Sequence, residues 1–389
     1  MAIRYLTAGE SHGPALTAII EGMPAGLPLN EDLILDDLAR RQTGSGSGDR
    51  MAIEKDRALI LAGVMEGVTT GAPIALQIVN QDHANWKGKS VPAYTTPRPG
   101  HADLSAAIKY GYDDIRPSLE RASARETAAR VAVGAVCRAF LNAFGITVGG
   151  YVSAIGEQSA RLDGLPFSDR IRRARASDVQ CPDPDVSGRM VAAIEQARSA
   201  GETLGGILEA VALGLPVGLG SHVNADRRLD ARLAGAVLGI PAFKGIEIGN
   251  AFANVRQPGT QSNDAILLEA DGLVRRTNAC GGIEGGMTNG QAVWLRAAMK
   301  PIPTTRKGQE TVDLATGKPT LTYYERSDVC PVPRAVVVLE AAVATVLADA
   351  LIEKLGGDSL AEMKPRFAGL RRATLADAHM SGQPHVFWP

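Results

Sequence analysis

The feature that most constrains the fold is an internal repeat. The stretch Ala8-Gly9-Glu10-Ser11-His12-Gly13 is followed by an alternating apolar segment and then by Gly22-Met23-Pro24-Ala25-Gly26-Leu27. The same order returns as Ala200-Gly201-Glu202-Thr203-Leu204-Gly205, another such segment, and Gly214-Leu215-Pro216-Val217-Gly218-Leu219. Two further echoes keep that order: Gly67-Val68-Thr69-Thr70-Gly71 with Gly286-Met287-Thr288-Asn289-Gly290, and Glu120-Arg121 with Glu325-Arg326, each of the last pair preceding an alanine- and valine-rich helix. Three ordered echoes separated by modest insertions point to a duplication.

Each half then reads strand, turn, strand, helix, strand and long helix. In the first half the expected elements are strands at 3–6, 15–21, 58–64 and 73–79 and a helix over 31–41, where Leu33, Leu35 and Leu38 have helical spacing. Two such halves can each cover the other's apolar face, which predicts an α+β sheet-and-helix sandwich with pseudo-twofold symmetry. The expectation is a single domain over 1–366, made of interlocked repeats at about 1–195 and 196–366, with a peripheral tail over 367–389 that lacks periodicity. The apolar run 335–351, interrupted by Glu340 and Asp349, reads as a buried helix rather than a membrane span.

Charge and cysteine content limit the function classes. With 41 basic against 42 acidic residues the chain is no sleeve for nucleic acid, so any anion must be held locally. Cys137, Cys181, Cys280 and Cys330 lie far apart without a C-x-x-C pair, which fits a reducing compartment and no zinc. The start, Met1-Ala2-Ile3-Arg4, lacks a basic segment leading into an apolar run, so no signal peptide is expected.

The candidate chemistry gathers at a few motifs. His12 and His101 are the histidines with glycine neighbours and polar company, and an imidazole can donate a proton near neutral pH. His83, His222, His379 and His385 have unremarkable settings and are expected to be solvated. Ser123, followed three residues later by Glu126, forms a capping-box pattern that predicts a helix from Ser123 to about Phe140. Arg121 and Arg125 would stand at its start beside free amides and a serine hydroxyl, an anion site suited to phosphate or carboxylate. Arg116 and Arg130 add charge nearby, and surface pairing with Glu120, Asp113 or Asp114 is the alternative.

The glycine run 281–290 matches neither a phosphate-binding P-loop nor a dinucleotide fingerprint. It fits a backbone lining against a flat ring or phosphate, and equally a plain turn. Lys300-Pro301-Ile302-Pro303-Thr304-Thr305 offers a cation and hydroxyls on a stiffened backbone. Asp328, in Arg326-Ser327-Asp328 before the second long helix, is a candidate base or a helix cap. The segment 44–48, flanked by Arg40, Arg41 and Arg50, reads as either a linker or a mobile basic flap.

Together, Gly9-Glu10-Ser11-His12-Gly13, Arg98-Pro99-Gly100-His101-Ala102-Asp103, Arg121-Ala122-Ser123-Ala124-Arg125-Glu126-Thr127, Gly281-Gly282-Ile283-Glu284-Gly285-Gly286 and Arg326-Ser327-Asp328 closely resemble the chorismate synthase family, from about Arg4 to Leu355. The resemblance implies a β-α-β sandwich, usually a homotetramer, in a cytoplasmic enzyme. It implies the anti 1,4-elimination of phosphate from 5-enolpyruvylshikimate 3-phosphate to give chorismate, the last common step towards the aromatic amino acids. Reduced FMN would be needed without net redox change, lending electron density to the breaking C–O bond and recovering it as the ring C–H is lost.

By the same resemblance His12 protonates the leaving phosphate, His101 sits against the flavin's pyrimidine side and Asp328 assists proton removal at N5. Ser11, Arg41, Arg50, Arg125 and Arg334 hold substrate; Arg121, Ala122, Ser123, Ala242, Gly285, Lys300, Pro301, Ile302, Pro303, Thr304 and Arg326 contact FMN. Many members carry Arg-Ser-Ser where this chain has Arg121-Ala122-Ser123, and an arginine in the flap where it has Ser47. NADPH enters only as an indirect source of reducing equivalents, with a separate flavin reductase as partner, and no nucleic acid or membrane is involved. Two rival readings are a phosphate lyase of the same fold without flavin and a non-catalytic nucleotide- or anion-binding module.

Overall fold

The computed structural model describes residues 3–46, 55–270, 272–325, 327–378 and 380–388. The first half opens with strands β1 (Arg4–Ala8) and β2 (Ala15–Glu21), then helix α1 (Glu31–Gln42), β3 (Ala58–Ala62), the small hairpin β4 (Val64–Met65) and β5 (Val68–Thr69), and β6 (Ile74–Val79). Short helices α2 (His83–Trp86), α3 (Asp103–Tyr110) and α4 (Arg116–Ala122) lead to the long helix α5 (Thr127–Asn142). The strand expected over 58–64 is broken after Ala62, because Gly63 turns at a φ of 85° and a side chain there would stand 2.6 Å from the Pro73 carbonyl. Alternation sorts β2 as expected: Leu16, Ala18 and Ile20 are buried and Ile19 and Glu21 exposed. In α1, Asn30 caps the N-terminus by accepting from the Leu33 amide, Glu31 and Asp32 occupy the first turn, and Arg40 and Arg41 the last.

The second half begins with β7 (Thr147–Ile155), well before the expected boundary near 195, because β7 takes the place in its sheet that β1 has in the first; it goes on with β8 (Gln158–Ser159), α6 (Phe167–Arg175), α7 (Pro184–Ala200), β9 (Gly206–Leu213), α8 (Leu229–Leu238) and β10 (Phe243–Ile248). After α9 (Ala251–Asn254) and α10 (Gly259–Ser262) come hairpins β11 (Ile266–Glu269) with β12 (Gly272–Arg275) and β13 (Ile283–Glu284) with β14 (Met287–Thr288). Strand β15 (Val293–Met299), the hairpin β16 (Glu310–Asp313) with β17 (Lys318–Leu321), and helices α11 (Val332–Leu355), α12 (Leu360–Ala368) and α13 (Leu375–Ala378) complete the chain. The segment expected to be a featureless tail therefore contains the end of α12 and all of α13. Its start is also tied down: the Leu273 amide donates to the Ala373 carbonyl at 2.7 Å.

The two halves share one topology. The antiparallel order β1-β2-β6-β3 is matched by β7-β9-β15-β10, with β8 added at the outer edge. The match extends to single atoms. Thr69 accepts from the Leu27 amide at 2.9 Å and donates to the Pro24 carbonyl at 2.5 Å; Thr288 does the same to Leu219 and Pro216 at 2.8 and 2.6 Å.

Helices form the layer between the sheets. Helix α5 packs on β1, β2 and β6 and against α11, which covers β7 and β9, while α1 and α8 flank the pair. Helix α11 is the one described helix long and apolar enough to cross a membrane, and 83% of its apolar window is buried in this layer. The outer face of the second sheet is covered by α6, whose Phe167 and Ile171 pack on Tyr151, Val211 and Trp294. The first sheet leaves Leu6 and Ile19 exposed in the equivalent places.

Candidate active site

The Gly9–Gly13 loop between β1 and β2 is held from three sides. Asn80, at the end of β6, donates from its amide to the Glu10 and Gly13 carbonyls at 3.1 and 2.8 Å. The Ser11 amide donates to the Glu120 carbonyl on α4 at 3.1 Å, and the His12 amide to the Glu120 carboxylate at 2.7 Å. The His12 ring sets Nδ1 2.6 Å from the other Glu120 oxygen and packs against Trp86, with ring centroids 4.3 Å apart. His83, expected to be solvated, instead places Nδ1 2.8 Å from the His12 carbonyl and donates to it. Tertiary proximity of α2 overrides the unremarkable sequence setting.

Beside this loop lies a buried cationic cluster. Arg125, 4% exposed, donates through Nε to the Asn80 side-chain oxygen at 2.8 Å and through Nη1 to both oxygens of Asp56 at 2.6 and 2.8 Å. Arg41, on the last turn of α1, donates to the Thr127 hydroxyl at 3.0 Å and the Ala124 carbonyl at 2.7 Å. Burial, with the Arg41 charge adding to it and Asp56 opposing, pushes the Arg334 guanidinium down to about 9. Arg334 forms an ion pair with Asp328 at the start of α11. Among the described residues three arginines face two engaged acids, Asp56 and Asp328, a balance that suits an anion.

The predicted capping box does not form. Ser123 accepts from the Arg125 amide at 3.3 Å and meets the Ser11 hydroxyl at 3.1 Å, while Glu126 accepts from Thr7 at 2.6 Å and from Arg130 at 3.0 Å. A single 3-10 turn, Ala124–Glu126, precedes α5, which starts at Thr127 rather than Ser123. That tight turn separates the two arginines expected to work together. Arg125 points inward, whereas Arg121 donates to the Gly9 and Thr7 carbonyls at 3.3 and 2.9 Å at the surface.

A second cluster surrounds His101. Asp103, fully buried at the N-terminus of α3, engages the His101 Nδ1 and accepts from the Arg98 amide, Nε and Nη2 at 3.0, 2.8 and 3.1 Å. Burial alone would raise the Asp103 carboxyl, but bonds from His101 and Arg98 hold it well below the usual carboxylate range. Arg98 also donates to the Thr304 hydroxyl at 3.3 Å, and Lys300 donates to the Gly100 carbonyl at 2.5 Å, so the 300–304 segment closes on this loop. Burial, with the nearby Lys244 charge, lowers the Lys300 ammonium. Ala242, whose carbonyl accepts from the Lys300 amide at 3.0 Å, adopts a φ of 70°, an unusual conformation for a residue with a side chain. Pro301, Ile302 and Pro303 continue that wall, with Thr203 donating to the Ile302 carbonyl at 2.8 Å.

The two clusters meet through packing of α3 on α4, where Tyr94, Ala107, Ile115 and Leu119 form a small core. Thus Ser11, His12, Arg41, Ser123 and Arg125 come together, as do His101, Lys300 and Thr304, with Asp328 and Arg334 beside the arginines. Ala122 ends α4 next to Ser123. Gly285 sits at the β13–β14 turn near His222. Arg50, Ser47, Arg326 and His379 lie outside the described residues.

Nothing in the sequence singles out Asp56 or Asn80; Glu120 stands there as an alternative surface partner of Arg121 and Arg125, and Arg98 only as part of the His101 motif. Asp103 stands close enough to His101 in sequence to have been found; the others are joined to their partners only by the fold. Asp264, Cys280 and Glu284 bring ligand atoms within 4.8 Å of one another, but Arg275 engages both Glu284 oxygens, and burial beside Asp264 pushes the Cys280 thiol up to about 12. That set reads as a hydrogen-bonded network.

A sequence model of the family described as chorismate synthase matches residues 3–352. The chain is 53% identical over 385 residues to the chorismate synthase of Geobacter metallireducens, covering 94% of this chain and 98% of that one. It is 50% identical over 389 residues to that of Chlorobaculum tepidum, covering 95% and 98%. A solved structure titled "Crystal Structure of Chorismate Synthase" superposes with a TM-score of 0.78 at 44% identity, covering 95% of this chain and 97% of that chain.

Proposed function

The chain belongs to the chorismate synthase family of lyases, and from that premise we propose that it eliminates phosphate from 5-enolpyruvylshikimate 3-phosphate to give chorismate, with reduced FMN in the site. The observation that carries this reading is the buried cluster of Arg41, Arg125 and Arg334 beside His12, which suits a substrate bearing a phosphate and carboxylates. The same charge balance suits a reduced, anionic flavin. Lys300, Thr304 and the strained Ala242 form a wall beside His101 that would hold it, together with Arg121, Ala122 and Ser123.

When bound, reduced FMN supplies electron density to the breaking C–O bond. The protein's own share is positional. Arg125 and Arg41 fix the anionic groups, and His12 holds a proton for the departing phosphate oxygen. Arg98 and Asp103 hold the His101 ring still. Asp328, paired with Arg334, is the carboxylate that would serve as base. NADPH enters only as an indirect source of reducing equivalents through a separate flavin reductase, and the setting is the cytoplasm.

Two organisational proposals accompany this. Residues 1–366 act as one domain, supported by a helix layer shared between both sheets. The enzyme works as a homotetramer, supported by the open outer face of the first sheet, where Leu6 and Ile19 lack the cover that α6 gives the twin face. Neither nucleic acid nor membrane takes part.

The deciding experiment incubates the pure protein anaerobically with the phosphorylated substrate, with and without dithionite-reduced FMN, while following phosphate release and the flavin spectrum. Turnover only with reduced flavin is the expected result. Release without flavin would support a flavin-free lyase, and FMN binding without turnover a binding module.

A further inference from the structure

We infer that Glu120 is a positioning residue that acts through His12: its carboxylate fixes which ring nitrogen carries the transferable proton. The inference rests on the proton-donor role proposed for His12. Each Glu120 oxygen meets that one residue, one accepting from its backbone amide at 2.7 Å and the other facing Nδ1 at 2.6 Å. An ionised carboxylate can only accept, so Nδ1 carries a hydrogen and the second hydrogen of the imidazolium resides on Nε2. No described residue hydrogen-bonds Nε2. The Glu120 contact at Nδ1 and the packing against Trp86 hold the ring in this orientation.

The duplication supplies an internal control. In the second half Leu204 replaces His12, and Glu325 is the counterpart of Glu120. There the carboxylate takes no part in its own loop and lies 3.9 Å from Arg98 of the first half. The carboxylate stays on the loop only where an imidazole is present for it to hold. The other charged or titratable groups around His12 are His83 on its carbonyl, Asp82 on the Trp86 indole, Arg116 over that indole at 6.0 Å, Arg121 on the Gly9 carbonyl, and Glu10 in the same loop.

In the elimination the C–O bond breaks with its electron pair passing to the phosphate oxygen, which takes the proton from Nε2, while a ring proton leaves to a base and the C–H electron pair enters the new conjugated double bonds. His12 is left neutral with its Nδ1 hydrogen still directed at Glu120. An amide at position 120 can donate to Nδ1 and so favours the tautomer with the hydrogen on Nε2, which weakens the support for the imidazolium.

The test compares Glu120→Gln, Glu120→Asp, His12→Ala and the Glu120→Gln/His12→Ala double variant in anaerobic turnover with reduced FMN, together with 15N NMR of histidine-labelled protein. Glu120→Gln should lose kcat on the order of 100-fold with KM changed by less than about two-fold, and Glu120→Asp should regain part of it. The double variant should be no slower than His12→Ala alone, because the effect of Glu120 on turnover passes through the imidazole. The NMR should place the neutral-ring hydrogen of His12 on Nδ1 in the wild type and on Nε2 in Glu120→Gln. Wild-type turnover in Glu120→Gln alongside an impaired His12→Ala, additive losses in the double variant, or an Nε2 hydrogen in the wild type would each overturn the inference. Wild-type turnover in His12→Ala would instead remove the proton-donor role itself.

Discussion

Gly134 of α5 and Ala341 of α11 meet so closely that a side chain on the glycine would place its Cβ 2.2 Å from that of the alanine. This contact lies in the helix layer that the two sheets share. In an exposed helix, glycine to alanine gains about 1 kcal/mol; here the helices would have to part. Gly134→Ala is therefore expected to destabilise by about 1–3 kcal/mol, measured as a lower urea midpoint at unchanged m-value. A gain in stability would show that the layer is looser than the contact implies.

Asp103 binds the Arg98 fork and the His101 ring at once. Its folded-state carboxyl lies below the ordinary value of 3.8, so its contribution is full above that pH and fades as pH falls through the lower folded-state value. Wild-type stability should thus decline below about pH 4 more steeply than that of Asp103→Asn. At neutral pH the variant should be less stable by about 3 kcal/mol, because Arg98 is left buried without its acid. Chemical unfolding at a series of pH values checks both slopes.

The three arginines gathered around Asp56 and Asp328 predict stabilisation by anions. Inorganic phosphate at a hundred-fold excess over its Kd should raise stability by about 2.7 kcal/mol, seen as a higher Tm. Arg125→Ala and Arg334→Ala should lose most of that rise, whereas Arg172→Ala, on the exposed face of α6, should keep it. An equal rise in all three would mean that phosphate acts through bulk ionic strength.

His12→Ala and His101→Ala should each lose turnover by about 100-fold or more while retaining the wild-type far-UV spectrum and Tm within a few degrees. Rates near wild type in both would remove the two histidines from the chemistry.

Burial pushes the thiols of Cys137, Cys280 and Cys330 up to about 12 and that of Cys181 up to about 11. At pH 8 in the native state none of the four should react with Ellman's reagent on the minutes timescale, and all four should react in guanidinium. A fast native thiol would reveal local opening at that site.

Much of the architecture was legible before any coordinates. The echoes around Gly9 and Gly201 located β2 and β9, and the Thr69 and Thr288 echo marked the paired clasps, because backbone geometry at glycine and threonine turns is set within a few residues. The long apolar run before Leu351 announced α11. Local patterns were less reliable for side chains. Ser123 and Glu126 carry a helix-start signature, yet Thr7 and Arg130 win the Glu126 carboxylate, because charge-assisted bonds outweigh a capping bond. Likewise His83 looked idle until α2 brought it to the His12 carbonyl.

The duplicated topology, the turns and the residue types gathered near them were already written in the chain, since these depend on short-range conformational preference and periodic burial. Only the tertiary structure decided that Glu120 serves His12, that Asp56 and Asn80 hold Arg125, and that Arg121 and Arg125 part company. Those partnerships join residues from 45 to 114 positions apart. They arise where buried charges must find partners as the helix layer closes, a requirement that no local stretch of sequence can express.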